Sequence, residues 1–260
     1  MYKPFQIPYL LDTTYHEFIH YQEHYDSALD HYCMCIWQMQ TKRVTKKAIP
    51  NMILPDACLD IIIDFSNRQI NVAGFSRHTE TTLLKGQVDV MGVRLRPGAF
   101  YALFHRPAVE IMDRIWDIST IDPNHSLTKL FETTTTTGRC KLLKEYLLSK
   151  LRTATTSPFL TYTDQLYQAP TEQRVADIAR NLGYTNRQLR RIFYKHYGVS
   201  PKVFLNILRL HLCLTLLFEG KHQLTEIAQL SGYYDQAHFI KEIKKYTGVS
   251  PLQLLKNNPD

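Results

Sequence analysis

Between Leu224 and Pro251, apolar residues recur at helical spacing in two short runs separated by a glycine. Ile227, Ala228 and Leu230 share one face of the first run. Phe239 and Ile243 share a face of the second, with Lys241, Lys244 and Lys245 on the opposite side. Thr225 and Asp235 are placed to cap the two helices. Gly232 and Gly248 stand where helix C-termini take a left-handed residue, and Ser250-Pro251 opens a further helix. Two helices about a tight glycine turn, the second basic on its outer side, predict a helix-turn-helix. The pattern occurs twice. From Arg174 to Pro201, Ile178-Ala179, Gly183-Tyr184 and Gly198-Val199-Ser200-Pro201 repeat Ile227-Ala228, Gly232-Tyr233 and Gly248-Val249-Ser250-Pro251, and the second copy is one residue longer between its glycines.

The stretch joining the copies, from Pro201 to Gly220, is apolar nearly all round, with Phe204, Leu205, Ile207, Leu208, Leu210, Leu212, Leu214, Leu216, Leu217 and Phe218. Such a helix is buried between partners, here the two helix-turn-helix units, and Cys213 within it reads as core. Ser157-Pro158 predicts one more helix, running through Leu166, ahead of the first unit.

The pattern changes before residue 120. Tyr32–Trp37, Leu59–Phe65 and Val88–Leu95 read as strands bounded by turn residues. Ala99–Phe104 and Val109–Ile115 read as helices able to cover a sheet. The expected fold is α+β in two domains. A β-rich N-terminal domain, a sandwich or cupin-like barrel with flanking helices, precedes an all-α domain of two helix-turn-helix units joined by a long helix. The expected divisions are 1–132, a linker with a helix at 133–156, and 157–260. The linker reading rests on the low-complexity run Glu132–Gly138, poor in helix formers. Arg139–Leu151 then carries an apolar stripe of Leu143, Tyr146, Leu147 and Leu151 that either packs on the N-terminal domain or pairs two subunits.

Charge sharpens this picture. The chain of 260 residues has a formal net charge of +7. Residues 170–260 hold 13 Lys/Arg against 7 Asp/Glu, so nearly all the excess lies on the helix-turn-helix part, where phosphate contact needs it. Five cysteines, an odd number with no Cys-x-x-Cys, argue against a disulfide framework and a zinc finger. The N-terminus lacks a signal-peptide core, and no run reaches the roughly 20 apolar residues of a membrane span. A cytoplasmic chain with reduced thiols, no cofactor and no membrane partner is the expectation.

The doubled units resemble the DNA-binding domain of the AraC/XylS transcriptional regulators over about the last hundred residues. Ala228, Gly232, Tyr233, Phe239, Gly248, Ser250 and Pro251 match the family signature, and Ile243 departs from it where Phe is usual. The resemblance implies a bacterial-type regulator whose partner is double-stranded DNA, with an N-terminal domain that senses a small-molecule effector or dimerises the chain. A homodimer and contact with RNA polymerase are the further partners it implies. The first recognition helix, capped at Thr185, presents Asn186, Arg187, Arg190 and Arg191, and the family pattern puts the three arginines on base-contacting positions. Arginine pairs bidentately with guanine. The second presents Gln236, Ala237, Ile240 and Lys241, suited to adenine and thymine methyls. Lys195, Lys202, Lys244 and Lys245 are phosphate candidates. Each of these lysines also suits a plain solvated surface, and each arginine also suits a phosphate or an acidic side chain.

Two motifs point elsewhere. His16-Glu17-x-x-His20 has the zinc-hydrolase spacing, which places both histidines on one face if the segment is helical. Surface histidines near a strand start are the simpler reading, and no catalytic assignment is made. Cys33, Cys35 and Cys58 suit a thiol sensor, Cys33 and Cys35 falling on one face of a regular strand. Reactive thiols need a basic neighbourhood, and the sequence supplies none there, so buried core is the simpler reading.

Overall fold

A computed structural model describes residues 2–4, 15–44, 46–154, 158–171 and 173–257. Ser157, read as part of a helix start, lies outside them. The N-terminal part contains helix α1 (Tyr15–Phe18) and strands β1 (Ile19–His24), β2 (Cys33–Thr41), β3 (Ile49–Ile53), β4 (Leu59–Asp64), β5 (Gln69–Ala73), β6 (Glu80–Leu84), β7 (Asp89–Leu95) and β8 (Ile115–Asp117). Six strands form one antiparallel sheet in the order β1-β2-β7-β4-β5-β8, and β3 pairs with β6 in a separate ribbon.

Alternation along the central strands builds two layers. Leu59, Ile61 and Ile63 of β4 and Met91, Val93 and Leu95 of β7 turn to a core shared with α2 (Ala99–Phe104) and α4 (Thr136–Leu151). Asp60, Ile62, Val90 and Arg94 turn the other way, toward the ribbon. The large sheet admits Trp37 over β7 because residue 92 is glycine: a Cβ there would lie 2.3 Å from the indole.

Several sequence expectations are revised. Val109–Ile115 is not a helix. A 3-10 turn at Ala108–Glu110 gives way to Asp113 at φ 54° and then to β8 and the short α3 (Ile118–Ile121). The Asp113 carboxylate holds that turn by accepting from Ser76 and Arg77. The threonine run is not wholly a connector: α4 starts inside it at Thr136, where the Thr135 side chain accepts from Gly138 N. Of the two readings of the following stripe, the structure takes the first. Leu143, Tyr146 and Leu147 join the N-terminal core, Tyr146 donates to Asp122, and Arg139, stacked on Phe65, bonds Asp89.

The helical part comprises α5 (Phe159–Gln168), α6 (Val175–Asn181), α7 (Asn186–Tyr197), α8 (Pro201–Glu219), α9 (Leu224–Leu230), α10 (Gln236–Thr247) and α11 (Pro251–Asn257). α8 is long and apolar enough to cross a membrane, with mean hydropathy 1.4, yet over half of that stretch is buried inside the protein. It has a third partner that its sequence did not show, the N-terminal part. His211 Nε2 donates to Pro55 O at 2.9 Å, and the Tyr2 ring meets His211 edge-on.

The apolar core runs without a break from the sheet through Ala108, Ile111 and Met112 into Phe159, Phe193, Tyr197 and Phe204 of the first helix-turn-helix. Tyr197 stacks on Phe204 at 4.2 Å and donates to Phe159 O at 2.7 Å. The second unit has its own core of Leu210, Leu214, Leu217, Ile227, Phe239, Ile243 and Leu254. Leu54, from the loop after β3, is buried in it.

Candidate nucleic-acid interface

Each recognition helix is fixed at both ends by local sequence. At α7, Thr185 Oγ1 accepts from Gln188 N and Gln188 Oε1 accepts from Thr185 N, a reciprocal capping box. Gly198 ends the helix at φ 76°. At α10, Asp235 accepts from His238 N at 2.7 Å and Gly248 ends it at φ 76°. One cap differs from expectation. The helix preceding α10 begins at Leu224 with Gln223 as its cap, because Glu226 reaches back to Gln223 N at 2.9 Å; Thr225 lies inside the helix.

Both recognition helices have 12 residues, so the extra residue of the second copy lies in the turn. It is Tyr234, 94% exposed, while its neighbour Tyr233 packs on the second core. Tyr234 was not singled out from sequence; the length difference between the copies was the available signal.

On α7, Asn186, Arg187, Arg190 and Arg191 are exposed, while Leu189 and Phe193 are fully buried. No acid occupies the first turn, and Arg190 lies over Tyr194 at 5.6 Å. Lys195 is exposed but leans to the domain junction, 4.3 Å over the Tyr101 ring. On α10, Ala237, Lys241, Lys244 and Lys245 are exposed, and Gln236 is half-buried. Ile240 is also half-buried, against the rim of the second core, and so is less available than its sequence position implied. Lys245 pairs with Glu242 at 3.6 Å, and Lys202 is exposed at the start of α8. The arginine-rich helix thus presents its cations to solvent, whereas the second offers lysines with a small apolar patch.

The other two motifs take different shapes. His16 and Glu17 lie on α1, but His20 lies on β1 opposite Gln40, so the two histidines do not share a helical face. Among the described residues, no three potential metal ligands lie together. Cys33 and Cys35 are not on one face, because the β2–β7 register shifts between them. Cys33 joins the helix-side core and Cys35 the ribbon side. Burial pushes the Cys33 thiol up to about 12 and raises Cys35 and Cys58 as well, which disfavours the reactive thiolate at all three.

A cavity of about 370 Å³ lies between the large sheet and the ribbon. Its walls include Tyr15, Trp37, Met39, Ile62 and Val90, with Arg94, Asp56 and Asp60 clustered at one end and Glu80, Asp113 and Arg114 also in the lining. Leu54 lines it too, so one side chain borders both the cavity and the core of the second helix-turn-helix.

Residues 162–257 match a family described as a helix-turn-helix domain. These residues are an AraC-type DNA-binding domain. Residues 25–117 match a second family, described as a domain of unknown function. Among relatives, the uncharacterized HTH-type transcriptional regulator YidL of Escherichia coli is 35% identical over 83 residues, 32% of this chain and 28% of its own. The Msm operon regulatory protein of Streptococcus mutans is 31% identical over 120 residues, 44% and 43% of the two chains. The chain spans less than half the length of either relative. Among solved structures, the C-terminal domain of AraT, a response regulator from Geobacillus stearothermophilus, is 26% identical over 40% of this chain and 88% of that one, with a TM-score of 0.36. ToxT from Vibrio cholerae covers 93% of this chain and 98% of its own at 15% identity, with a TM-score of 0.43. In the AraC-type domain described here, the matched residues take in both recognition helices and the connector α8.

Proposed function

We propose that the chain is a non-catalytic transcriptional regulator that recognises duplex DNA through α7 and α10 and is switched by a small molecule held in the sheet cavity. The observation that carries the reading is the pair of capped helices with solvent-facing cations, in a domain of AraC type. Arg187, Arg190 and Arg191, with Asn186, would read base edges. Gln236, Ala237, Ile240 and Lys241 would read a second, weaker box. Lys195, Lys202, Lys244 and Lys245 would hold phosphates. Residues 1–132 would serve as the sensory domain, 133–156 as the connection and 157–260 as the DNA-binding domain, in the cytoplasm. A homodimer acting beside RNA polymerase is the arrangement the family suggests.

Switching has a physical route. The loop after β3 lines the cavity at Leu54 and Asp56, and the same Leu54 is buried among Leu210, Phe239 and Ile243. A ligand that moves this loop acts directly on the core supporting α10. The test is selection of binding sites from random duplexes with the full chain, followed by gel-shift titration at several salt concentrations. An enriched sequence bound with a steep inverse salt dependence is the expected result. No enrichment, with binding insensitive to salt, overturns the reading.

A further inference from the structure

We propose that the sheet cavity takes a neutral, largely apolar small molecule whose polar head accepts a hydrogen bond from Arg94 and donates one to Asp60. The inference rests on the reading of the chain as a ligand-switched regulator and names the class of ligand. A volume of about 370 Å³ lies within the range of small-ligand sites, roughly 300–1,000 Å³. Trp37, Met39, Ile62 and Val90 give most of the wall an apolar character, which suits a hydrocarbon or aromatic body.

The polar end decides the head group. The Arg94 side chain is only 9% exposed, with Nε 3.4 Å from Asp60 Oδ1 and 3.7 Å from Asp56 Oδ2. Its Nε finds no hydrogen-bond partner among the described residues. Arg94 is therefore held by charge, its Nε enclosed between the carboxylates while the residue lines the cavity. Asp60 uses Oδ1 to accept from Trp37 Nε1 at 2.7 Å, and its side chain remains 19% exposed. Asp56 is committed to the loop, accepting from Cys58 N at 2.9 Å.

Asp56 and Asp60 against Arg94 leave this end of the cavity net negative, and the rest of the lining adds Glu80 and Asp113 against Arg114. A carboxylate ligand would meet Arg94 but bring a third negative charge beside Asp60 and Asp56. An ammonium ligand would meet Asp60 but also face the Arg94 guanidinium, and would give up its hydration against a largely apolar wall. An amide or hydroxyl head can accept from the Arg94 guanidinium and donate to the accessible Asp60 carboxylate without adding charge.

The test uses three probes of nearly equal shape, phenylbutyramide, phenylbutyrate and phenylbutylamine, titrated against the full chain without DNA. Trp37 fluorescence is the readout, with Trp116, the other of two tryptophans, replaced by Phe. The amide is expected to bind about tenfold or more tighter than either charged probe. Val90→Phe fills the cavity while leaving the polar end intact, and is expected to weaken the amide by about tenfold with an unchanged circular dichroism spectrum. Arg94→Gln, if folded by the same spectrum, should erase the preference for the amide over the amine. Equal or tighter binding of phenylbutyrate or phenylbutylamine overturns the proposal. So does an unaffected Val90→Phe, or no saturable response to any probe at millimolar concentration. A gel shift on the same preparation without probes reads the regulator function separately, so failure of one is not failure of the other.

Discussion

Arg187, Arg190 and Arg191 stand on one exposed helix turn, and Lys244 stands on another, yet the two sets should behave differently. Arginine forks match guanine edges, while a lysine point charge meets any phosphate. Arg191→Ala is expected to weaken the selected site by about 1–3 kcal/mol and relax one base position, whereas Lys244→Ala weakens all sequences alike and lowers the salt slope. Selection from random duplexes with each variant checks both. Gly198 makes a different point. It sits at φ 76°, and a Cβ would lie 2.6 Å from the Met112 side chain. Its left-handed cap was legible from the repeated Gly-Val-Ser-Pro. Its contact with Met112, a residue far off in sequence, was not. Gly198→Ala should cost about 1–2 kcal/mol from backbone strain alone, read as a lower thermal midpoint.

At the scale of elements, local rules succeeded where a cap or a stop is chemically unambiguous. Thr185, Asp235, Ser200-Pro201 and Gly220 bound their helices as expected. They failed where two side chains compete or a turn is held from a distance. Glu226 made Gln223 the cap in place of Thr225, and the carboxylate of Asp113, held by Arg77, turned an apolar run into a bend and a strand. The short polar strands β1 and β6 carry little alternation and become strands by pairing with their neighbours. The connector α8 was correctly read as buried, but its all-round apolarity could not say that Leu54 and Pro55 close over it. Leu54→Ala is therefore expected to cost about 2–5 kcal/mol and to speed hydrogen exchange in α9 and α10 more than in α6 and α7. Uniform acceleration across both units would show that the loop does not support the second unit selectively.

Across the whole molecule, two recognition helices on one chain are joined by 19 residues of helix, a span of roughly 28 Å at 1.5 Å per residue. With the width of the flanking units, this approaches one turn of duplex, about 34–36 Å. The full chain should protect two unlike boxes about 10–10.5 bp apart on one face in hydroxyl-radical footprinting, with the DNA bent to fit if needed. Protection of a single groove would exclude the paired mode. The junction between the two parts also predicts a pH response. Burial holds His211 down to about 4, with Pro55 O opposing that shift and Arg94 adding to it, while the Tyr2 ring faces it. Burial and Lys195 likewise hold His196 down to about 4, between Tyr101 and Phe159. Unfolded histidine protonates near 6.5, so stability is full above that pH and falls as pH drops toward 4, where the folded state begins to protonate. For His211 the loss is on the order of 3 kcal/mol across this window. Urea midpoints measured from pH 7 to 4.5 should decline, and His211→Gln should flatten the slope.

By itself the sequence determined the two helix-turn-helix units, the caps of their recognition helices, the buried connector and the cations of α7. These follow from spacing within a few residues, where helical periodicity and capping chemistry act. The central strands of the sheet were legible for the same reason, as apolar runs bounded by turns. Only the tertiary structure decided that α4 lies on its own sheet, that Cys33 and Cys35 part company at a register shift, and that His20 leaves its helix for a strand. It alone gathered Arg94, Asp56 and Asp60 at one end of a cavity and put Leu54 in a second core. Those outcomes depend on pairings between residues tens to more than a hundred positions apart, where packing and charge across the fold, not local pattern, choose the partner.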